Sequence, residues 1–140
     1  MNDRYLYRAK RIDNGELVEG NLITDEQDEK KCFIGYVFGT NDDGTQHDYD
    51  VVSVDPSTIC QCTGLKDKNG KLIWENEIIK CKCGIAVVVW DKSEWIIKWV
   101  KDNIWRKDLH FWVNDENEYG VEVIGSAIDN PELLESKGCD

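Results

Sequence analysis

Two Asn-Gly pairs, each lying between short apolar stretches, restrict the fold of this chain more than any other feature of its sequence. Asn14-Gly15 separates the loosely alternating residues 4–12 from residues 17–23. Asn-Gly at such a position favours a type I′ turn, because both central residues of that turn need a positive φ. Asn69-Gly70 likewise turns the chain inside the stretch TGLKDKNGKLIWENE, residues 63–77. We therefore predict β-hairpins at both places and a mainly β chain.

Further strands are predicted on both sides of these hairpins. Residues 32–38 pair with residues 48–54, and the polar residues 24–31 before them are predicted to form a loop. Residues 78–90 form the longest apolar run, which we interpret as one strand that enters the core. Gly84 within this run is expected to mark a bend or a bulge.

The last third of the sequence is less regular. Residues 95–100 and 121–128 are predicted strands, whereas residues 102–113 fit either a short helix or another strand. At the end, Asn130 suits a helix cap, and Pro131 suits the first helical position. A short C-terminal helical turn that stops at Gly138 is therefore expected.

Size and charge limit the classes of function. The chain has 140 residues, which suits one domain, and a formal net charge of −11. Such a surface repels phosphates, so nucleic acid is an unlikely partner unless the 17 basic residues cluster on one face. The charged N-terminus does not resemble a signal peptide, and no apolar run reaches the roughly 18 residues of a membrane span. We expect a cytoplasmic protein, without a membrane partner, whose cysteines are thiols.

Neither calcium nor phosphate chemistry fits the stretch 63–77. Alignment of Gly70 with the glycine of an EF-hand loop puts Leu65 and Asn76 at positions that need acidic ligands. A phosphate-binding loop fails as well, because the spacing between Gly64 and Gly70 is wrong and no helical pattern follows. We therefore interpret the stretch as a hairpin with solvated lysines at its tip, and we predict no cofactor.

The six cysteines raise the question of a metal site. Cys60 and Cys62, like Cys81 and Cys83, have the spacing C-x-C, and four thiolates could bind zinc. Structural zinc sites usually use two to four intervening residues, whereas C-x-C on a strand places both thiols on one face, as in a core. Buried thiols are the favoured interpretation, zinc is the alternative, and Cys139 is expected in a tail.

Catalysis has no evident basis in the sequence. The two histidines, His47 and His110, lie near an aspartate and aromatic residues, respectively, and no pattern places a nucleophile beside either. The chain is therefore predicted not to be an enzyme.

Tryptophan is the remaining hint of function. All six tryptophans lie between residues 74 and 112, and most are expected to fill a small barrel core. The alternatives are that some anchor a protein partner or stack on single-stranded bases.

The stretch from Thr63 to Lys71, continued by Ile73-Trp74-Glu75 and Ile78-Ile79, resembles the signature hairpin of the YopX family of phage and prophage proteins from Gram-positive bacteria. Tyr7-Arg8, residues 15–23 and the ending from Val123 to Leu134 are similar to other parts of that family. The resemblance therefore spans nearly the whole chain. One departure is Glu75-Asn76-Glu77, where the family often has Glu-Gly-Asp; Asn tolerates the left-handed backbone that Gly adopts easily.

The resemblance implies one YopX-like domain, residues 1–140, that is mainly β. It would consist of N-terminal β-hairpins, residues 4–62, and an SH3-like, partly open barrel, residues 63–135. It brings no catalytic residues. The expected function is that of a non-enzymatic phage accessory protein that binds a host or phage protein or itself as a homo-oligomer. A nucleic-acid-associated SH3-like module, using lysines 66, 68, 71, 80 and 82, is the alternative.

An interaction surface is predicted at Trp74, Glu75 and Glu77. Trp74, Glu75 and Glu77 lie directly beside the hairpin, and tryptophan is frequent among interface hot spots. The competing interpretation is that this segment serves the architecture of the barrel.

Overall fold

The computed structural model describes residues 5–40, 42–44, 47–100, 106–114, 116 and 118–134, and strands dominate it. The chain divides into two compact units, Met1–Cys62 and Thr63–Asp140, called here the N-terminal and C-terminal units. All strand pairs are antiparallel, so the predicted mainly β fold is confirmed. No helix in the described part of the chain has the length and apolar character needed to span a membrane.

The N-terminal unit is a curled meander. Its strands are β1 (Tyr7–Lys10), β2 (Leu17–Asp25), β3 (Asp28–Thr40) and β4 (His47–Val54), followed by a 3₁₀ turn (Pro56–Thr58) and the start of β5 (Cys60–Lys66). Neighbouring strands pair in the order β4-β3-β2-β1-β5. The end of β4 also meets the residues after β1, because Arg11 and Val54 form a bridge. The curl encloses a core of five buried side chains: Ala9, Cys32, Ile34, Val52 and Val54.

The C-terminal unit is built on an open four-stranded sheet. After β6 (Leu72–Trp74) come β7 (Glu77–Cys81), β8 (Gly84–Asp91), β9 (Glu94–Trp99), the one-turn helix α1 (Leu109–Trp112), β10 (Glu122–Ser126) and a 3₁₀ turn (Pro131–Leu134). The sheet order is β10-β7-β8-β9, and within the described residues it does not close into a barrel. Its core includes Ile73, Ile79, Val88, Ile97 and Leu109.

The first hairpin is confirmed, but its predicted turn type is wrong. Tyr7 pairs with Gly20 and Lys10 with Leu17, as expected for β1 and β2. Only Gly15 of the Asn-Gly pair has a positive φ, of 75°, and the Arg11 N–H donates to the Glu16 carbonyl at 2.9 Å. A type I′ turn needs positive φ at both residues, so the connection is a longer loop.

Two other strand predictions are also wrong. The predicted polar loop, residues 24–31, is mostly strand, since β2 runs to Asp25 and β3 starts at Asp28. An exposed hairpin end needs no apolar alternation, so its strands resemble a loop in sequence. The predicted single strand of residues 78–90 is two strands, because the chain turns at Lys82-Cys83 and pairs Cys81 with Gly84. Gly84 therefore follows a turn and does not mark a bulge.

The C-terminal turn is present, with one change. Residues 131–134 form a 3₁₀ turn. The Asn130 side chain does not cap it but accepts the Ser126 N–H through Oδ1 at 3.1 Å, while the Asn130 carbonyl accepts the Leu133 N–H. Gly138, the predicted stop, lies outside the described residues, as do residues 101–105 of the ambiguous segment.

Candidate functional site

The stretch 63–77 forms a hairpin between β5 and β6 that is closed by a three-residue loop. The Asp67 N–H donates to the Lys71 carbonyl at 2.8 Å, and the Gly70 N–H donates to the Asp67 carbonyl at 3.0 Å. Gly70 has a φ of 80°, which is the left-handed position of this loop type. The predicted hairpin is therefore confirmed, and Gly70 is required by its backbone.

Asp67 is the central residue of this hairpin. Its side chain is only 3% exposed, yet both carboxylate oxygens are occupied. Oδ1 accepts the N–H groups of Asn69 at 2.9 Å and Lys71 at 3.0 Å, and Oδ2 accepts the N–H of Val123 at 3.0 Å. The carboxylate therefore fixes the loop and also joins it to β10. Sequence analysis did not identify this role, because the contact to Val123 spans 56 residues.

A buried threonine holds the base of the same hairpin. Thr63 is 7% exposed, and its Oγ1 donates to the Ile73 carbonyl at 2.8 Å. The same oxygen accepts the Leu65 N–H at 3.1 Å. Thr63 therefore bonds to both strands, which accounts for a polar residue in this buried position.

The three residues predicted as an interaction surface lie largely inside the protein. Trp74 and Glu77 are each 3% exposed, and Glu75 is half-buried. Glu77 Oε1 accepts the Trp74 N–H at 2.8 Å, which stabilises the turn between β6 and β7. Trp74 and Glu77 thus have an architectural role and offer a partner almost no surface. The competing architectural interpretation of this segment fits these positions better.

Asn76 adopts a left-handed backbone in the turn between β6 and β7. Its φ is 69°, in the left-handed region that asparagine tolerates better than most residues. The Asn76 N–H donates to the Val88 carbonyl at 2.8 Å, and the Asn76 carbonyl accepts the Ala127 N–H at 2.7 Å. The turn therefore connects β8 with the chain after β10, despite the departure from Glu-Gly-Asp.

An open groove of about 480 Å³ lies beside the hairpin tip. Its lining includes Leu65, Lys66, Asp67, Val113 and Asn114. The carboxylate of Asp67 already accepts three N–H groups, so it is not placed to act as a general base. Asp67 therefore serves the structure of the hairpin at this edge of the groove.

The cysteines separate into two environments. Cys60 and Cys62 on β5 are 4% and 0% exposed, which confirms buried thiols for this pair. Cys81 is half-buried and Cys83 is exposed, because Cys83 lies in a turn and not on a strand. Among the described residues no group of three or more His, Cys, Asp or Glu side chains is placed to hold a metal ion, and Cys139 lies outside them.

The structure describes the side chain of one of the two histidines, His110. The side chain of His47 lies outside the described part, as does one tryptophan, Trp105. His110 is exposed, and its Nε2 lies 3.4 Å from Asp108 Oδ2. Asp108 is also held by Arg106 at 2.6 Å, and this guanidinium keeps the pKa of the Asp108 carboxyl below its ordinary value. The group is a local ion pair beside α1.

Most described tryptophans belong to the C-terminal core, as expected. Trp112 is buried in this core, and Trp95 and Trp99 are half-buried against it. Trp74 is also buried, at 3% exposure. The Arg106 carbonyl accepts the indole N–H of Trp99 at 3.3 Å and that of Trp112 at 3.2 Å. Trp90 is 52% exposed and contacts Trp95 edge to face, so it is available as an anchor.

A patch that the sequence analysis missed lies on the outer face of the N-terminal sheet. Register pairs Ile23 with Phe33 and Val37 with Tyr49, and it places Val51 opposite Gly35. These apolar residues share one face, opposite the core residues of β3 and β4. We call this set the outer-face patch; its members are Ile23, Phe33, Val37, Tyr49 and Val51. The sequence does contain a sign of this patch, because β3 and β4 carry apolar residues at both odd and even positions.

The outer-face patch is accessible in this structure. Val37 is 52% exposed, Tyr49 51% and Val51 45%. The Tyr49 hydroxyl lies over Gly35, where a side chain would overlap it. Neighbouring apolar residues with this much exposure are typical of binding surfaces.

The fold defines a small antiparallel β protein in which buried Thr63 and Asp67 hold the β5–β6 hairpin and buried Glu77 holds the following turn. The family model described as YopX protein matches residues 6–135. The chain therefore belongs to the YopX family, as its motifs indicated.

One solved structure supports the fold independently. The crystal structure of protein EF1440 from Enterococcus faecalis superposes with a TM-score of 0.54 at 23% sequence identity. The match covers 92% of this chain and 96% of that chain. At this identity the likeness shows a shared fold alone. A search of curated proteins found no match.

Proposed function

We propose that this chain is a non-enzymatic accessory protein of a phage or prophage that acts in the host cytoplasm by binding another protein. The observation that carries the proposal is the outer-face patch. The phage or prophage origin rests on the resemblance of the family motifs, and the absence of catalysis rests on the engagement of Asp67, Glu77 and Asp108 in structural bonds.

The shape of the patch suits a protein partner. Tyr49 and Phe33 provide large rigid rings, and Val37 and Val51 provide β-branched side chains that are already restricted on a strand. Such side chains lose little conformational entropy on binding, so their burial contributes most of its hydrophobic free energy to affinity.

Charge decides between a foreign partner and a second copy. Each chain has a formal charge of −11, so two copies repel each other as they approach. A partner with a neutral or basic surface is attracted by the same charge. We therefore expect a heterologous, basic protein of the host or phage, and homo-oligomerisation is the competing outcome.

The test uses a paired set of variants. Val37→Thr and Val51→Thr keep the β-branched shape and make the patch polar, whereas Ile12→Thr makes an equivalent change at a 65% exposed residue outside the patch. A tagged protein is used to capture partners from nuclease-treated host lysate, and the purified partner is then titrated by calorimetry. The double patch variant should weaken binding at least about tenfold, equivalent to about 1.4 kcal/mol. Ile12→Thr should leave the affinity within about twofold.

The results distinguish the alternatives. Equal affinity of the patch variant and the wild type would refute the patch as the binding surface. A concentration-dependent dimer in sedimentation, lost in the patch variant, would replace the foreign partner with self-assembly.

A second candidate, nucleic-acid binding, is favoured by one observation. Lys68 and Lys82 are tied through their N–H groups to the carbonyls of Val121 and Tyr119, and Lys80 lies opposite Glu122. Three exposed lysines therefore lie beside residues 119–122, at the start of β10 and just before it, although Lys68 Nζ is 3.5 Å from Glu122. Fluorescence anisotropy with single- and double-stranded DNA should show salt-dependent binding if this basic strip is functional. Absence of binding at low salt would remove this candidate.

A further inference from the structure

The turn between β7 and β8 brings two cysteines together. Cys81 ends β7 and pairs with Gly84, and Lys82 and Cys83 are the two residues of the turn. The Cys81 side chain packs against the C-terminal core and is half-buried, while Cys83 is exposed. One thiol is thus held by the core and its neighbour is open to solvent.

The geometry of this turn allows a bond between the two sulfurs. Consecutive Cα atoms are about 3.80 Å apart, so the Cα atoms of Cys81 and Cys83 are separated by at most roughly twice that distance. A tight turn shortens this separation toward the roughly 4.4–6.8 Å that a disulfide requires. The pairing of Cys81 with Gly84 leaves only Lys82 and Cys83 in the turn, so the chain reverses tightly at this point.

The other C-x-C pair provides an internal contrast. Cys60 and Cys62 have the same spacing but lie on the extended strand β5 and not in a turn. Both are buried, and the Cys60 thiol donates to the Thr58 carbonyl at 3.5 Å. An oxidant in solution therefore reaches Cys83 and is shielded from Cys60 and Cys62.

We infer that Cys81 and Cys83 form a redox modification site, at which a peroxide oxidises Cys83 and Cys81 then closes an intramolecular disulfide. In the first step the Cys83 sulfur attacks one peroxide oxygen. An S–O bond forms, the O–O bond breaks, and the released hydroxide takes up the thiol proton as water. In the second step the Cys81 sulfur attacks Cys83, the S–O bond breaks, and a second water leaves with the Cys81 proton. Two thiols lose two electrons in total, and hydrogen peroxide is reduced to two waters.

The order of the two steps follows from exposure. Burial raises the pKa of the Cys81 thiol, so less of the reactive thiolate forms there. Cys83 is exposed and meets the oxidant first, whereas Cys81 is placed to attack the oxidised sulfur. The disulfide would link the end of β7 to the turn. The turn is already attached to the chain before β10, because the Lys82 N–H donates to the Tyr119 carbonyl at 3.1 Å.

The experiment uses the full chain with Cys139→Ser, so that this cysteine cannot compete. The folded protein is treated with hydrogen peroxide, unfolded, alkylated with iodoacetamide, and cleaved after glutamate. The peptide of residues 78–94 contains Cys81 and Cys83 as its sole cysteines. We expect it to be about 2 Da lighter than the reduced peptide, to carry no alkyl group, and to regain both alkylation sites after dithiothreitol treatment. The peptides with Cys60 and Cys62 should remain fully alkylated.

Two isosteric variants test the order of events. In Cys81→Ser, a dimedone adduct should accumulate at Cys83, because the second thiol is missing. In Cys83→Ser, oxidation at Cys81 should fall at least about tenfold at the same peroxide dose. Full alkylation of both cysteines after peroxide would overturn the proposal. So would overoxidation of Cys83 without a disulfide, or a disulfide to another cysteine.

Discussion

Replacing Asp67 by alanine should destabilise the C-terminal unit strongly for a change at a hairpin tip. The carboxylate accepts the N–H groups of Asn69, Lys71 and Val123 at 2.9–3.0 Å, and it is 3% exposed. Asp67→Ala removes all three acceptors at once. Because one of these bonds joins the hairpin to β10, the loss affects the tertiary structure as well as the loop.

The magnitude can be worked out from the environment of each donor. Val123 is buried, so its N–H would lose its acceptor without gaining water, at a cost of about 1–3 kcal/mol. Asn69 and Lys71 lie in an exposed turn where water replaces the carboxylate, and each of these losses costs about 0.5–1.5 kcal/mol. We expect Asp67→Ala to lower the free energy of unfolding by about 2–6 kcal/mol. Asp67→Asn retains one acceptor oxygen and should cost about 1–3 kcal/mol.

Urea unfolding followed by tryptophan fluorescence measures this change directly. All six tryptophans lie between residues 74 and 112, so the signal reports the C-terminal unit. The matched control is Asp91→Asn, which removes the same charge from an exposed residue at the end of β8. This control should change the free energy of unfolding by less than about 0.5 kcal/mol.

Two results would contradict this role of the Asp67 carboxylate. If Asp67→Ala and Asp91→Asn shifted the urea midpoint equally, with unchanged slopes, the three bonds would not contribute beyond the charge itself. If Asp67→Asn were as stable as the wild type, the carboxylate oxygen facing Val123 would have no role.

The remaining predictions concern one turn, two glycines and one ion pair. Asn76→Ala should lower the free energy of unfolding by about 1 kcal/mol more than Asn76→Gly, because alanine is strained at a φ of 69°. Gly20→Ala should destabilise the N-terminal unit by about 2–3 kcal/mol, since its Cβ would overlap the carbonyl oxygen of Gly35. Gly35→Ala should cost less than about 1 kcal/mol, because its Cβ meets an exposed tyrosine hydroxyl that can move aside. Arg106 lowers the pKa of Asp108, so the stability that Asp108 contributes is present above its unfolded pKa and is lost as pH falls through the folded pKa. At pH 6 the wild type should be more stable than Asp108→Asn by less than about 1 kcal/mol. Urea unfolding should show this difference shrinking as the pH falls to 3.

Each of these predictions has its own measurement and contrary result. Fluorescence-detected urea unfolding compares the two Asn76 variants, and equal midpoints would mean that strain at this residue is negligible. Hydrogen exchange of β2 and β3 compares the glycine variants, since the N-terminal unit contains no tryptophan. Faster exchange in Gly35→Ala than in Gly20→Ala would contradict the steric argument. A stability difference for Asp108→Asn that grows toward low pH would contradict the direction of the pKa change.

Local sequence signals predicted the hairpins because turns depend on a few adjacent residues. Glycine at residues 15 and 70 marks a positive φ in each case, and Asn76 was recognised as tolerant of the same backbone. The motifs around the second hairpin also indicated the family. The predictions that were wrong also concern local features. The exposed hairpin at residues 24–31 resembles a loop in sequence. The polar residue Lys82 does not stand out as a turn within an apolar run.

The candidate site depended on contacts that a linear pattern does not contain. Trp74 and Glu77 are predicted from the sequence as part of an interaction surface, yet both are only 3% exposed, and the Glu77 carboxylate accepts the Trp74 N–H. The outer-face patch is the opposite case, because the sequence did not predict it and the structure leaves it exposed. Its strands are apolar on both faces, and the sequence alone does not say which face is covered.

The amino-acid sequence by itself determined the mainly β class, the chain reversals at Gly15 and Gly70 and the family, because each depends on short-range backbone preferences and motif order. Tertiary structure alone decided which apolar face is buried, which C-x-C pair lies in a turn, and why Asp67 is buried. The physical reason is the same in all three cases. Burial and hydrogen-bond partners are set by strands that are distant in sequence, as Asp67 and Val123 are, separated by 56 residues.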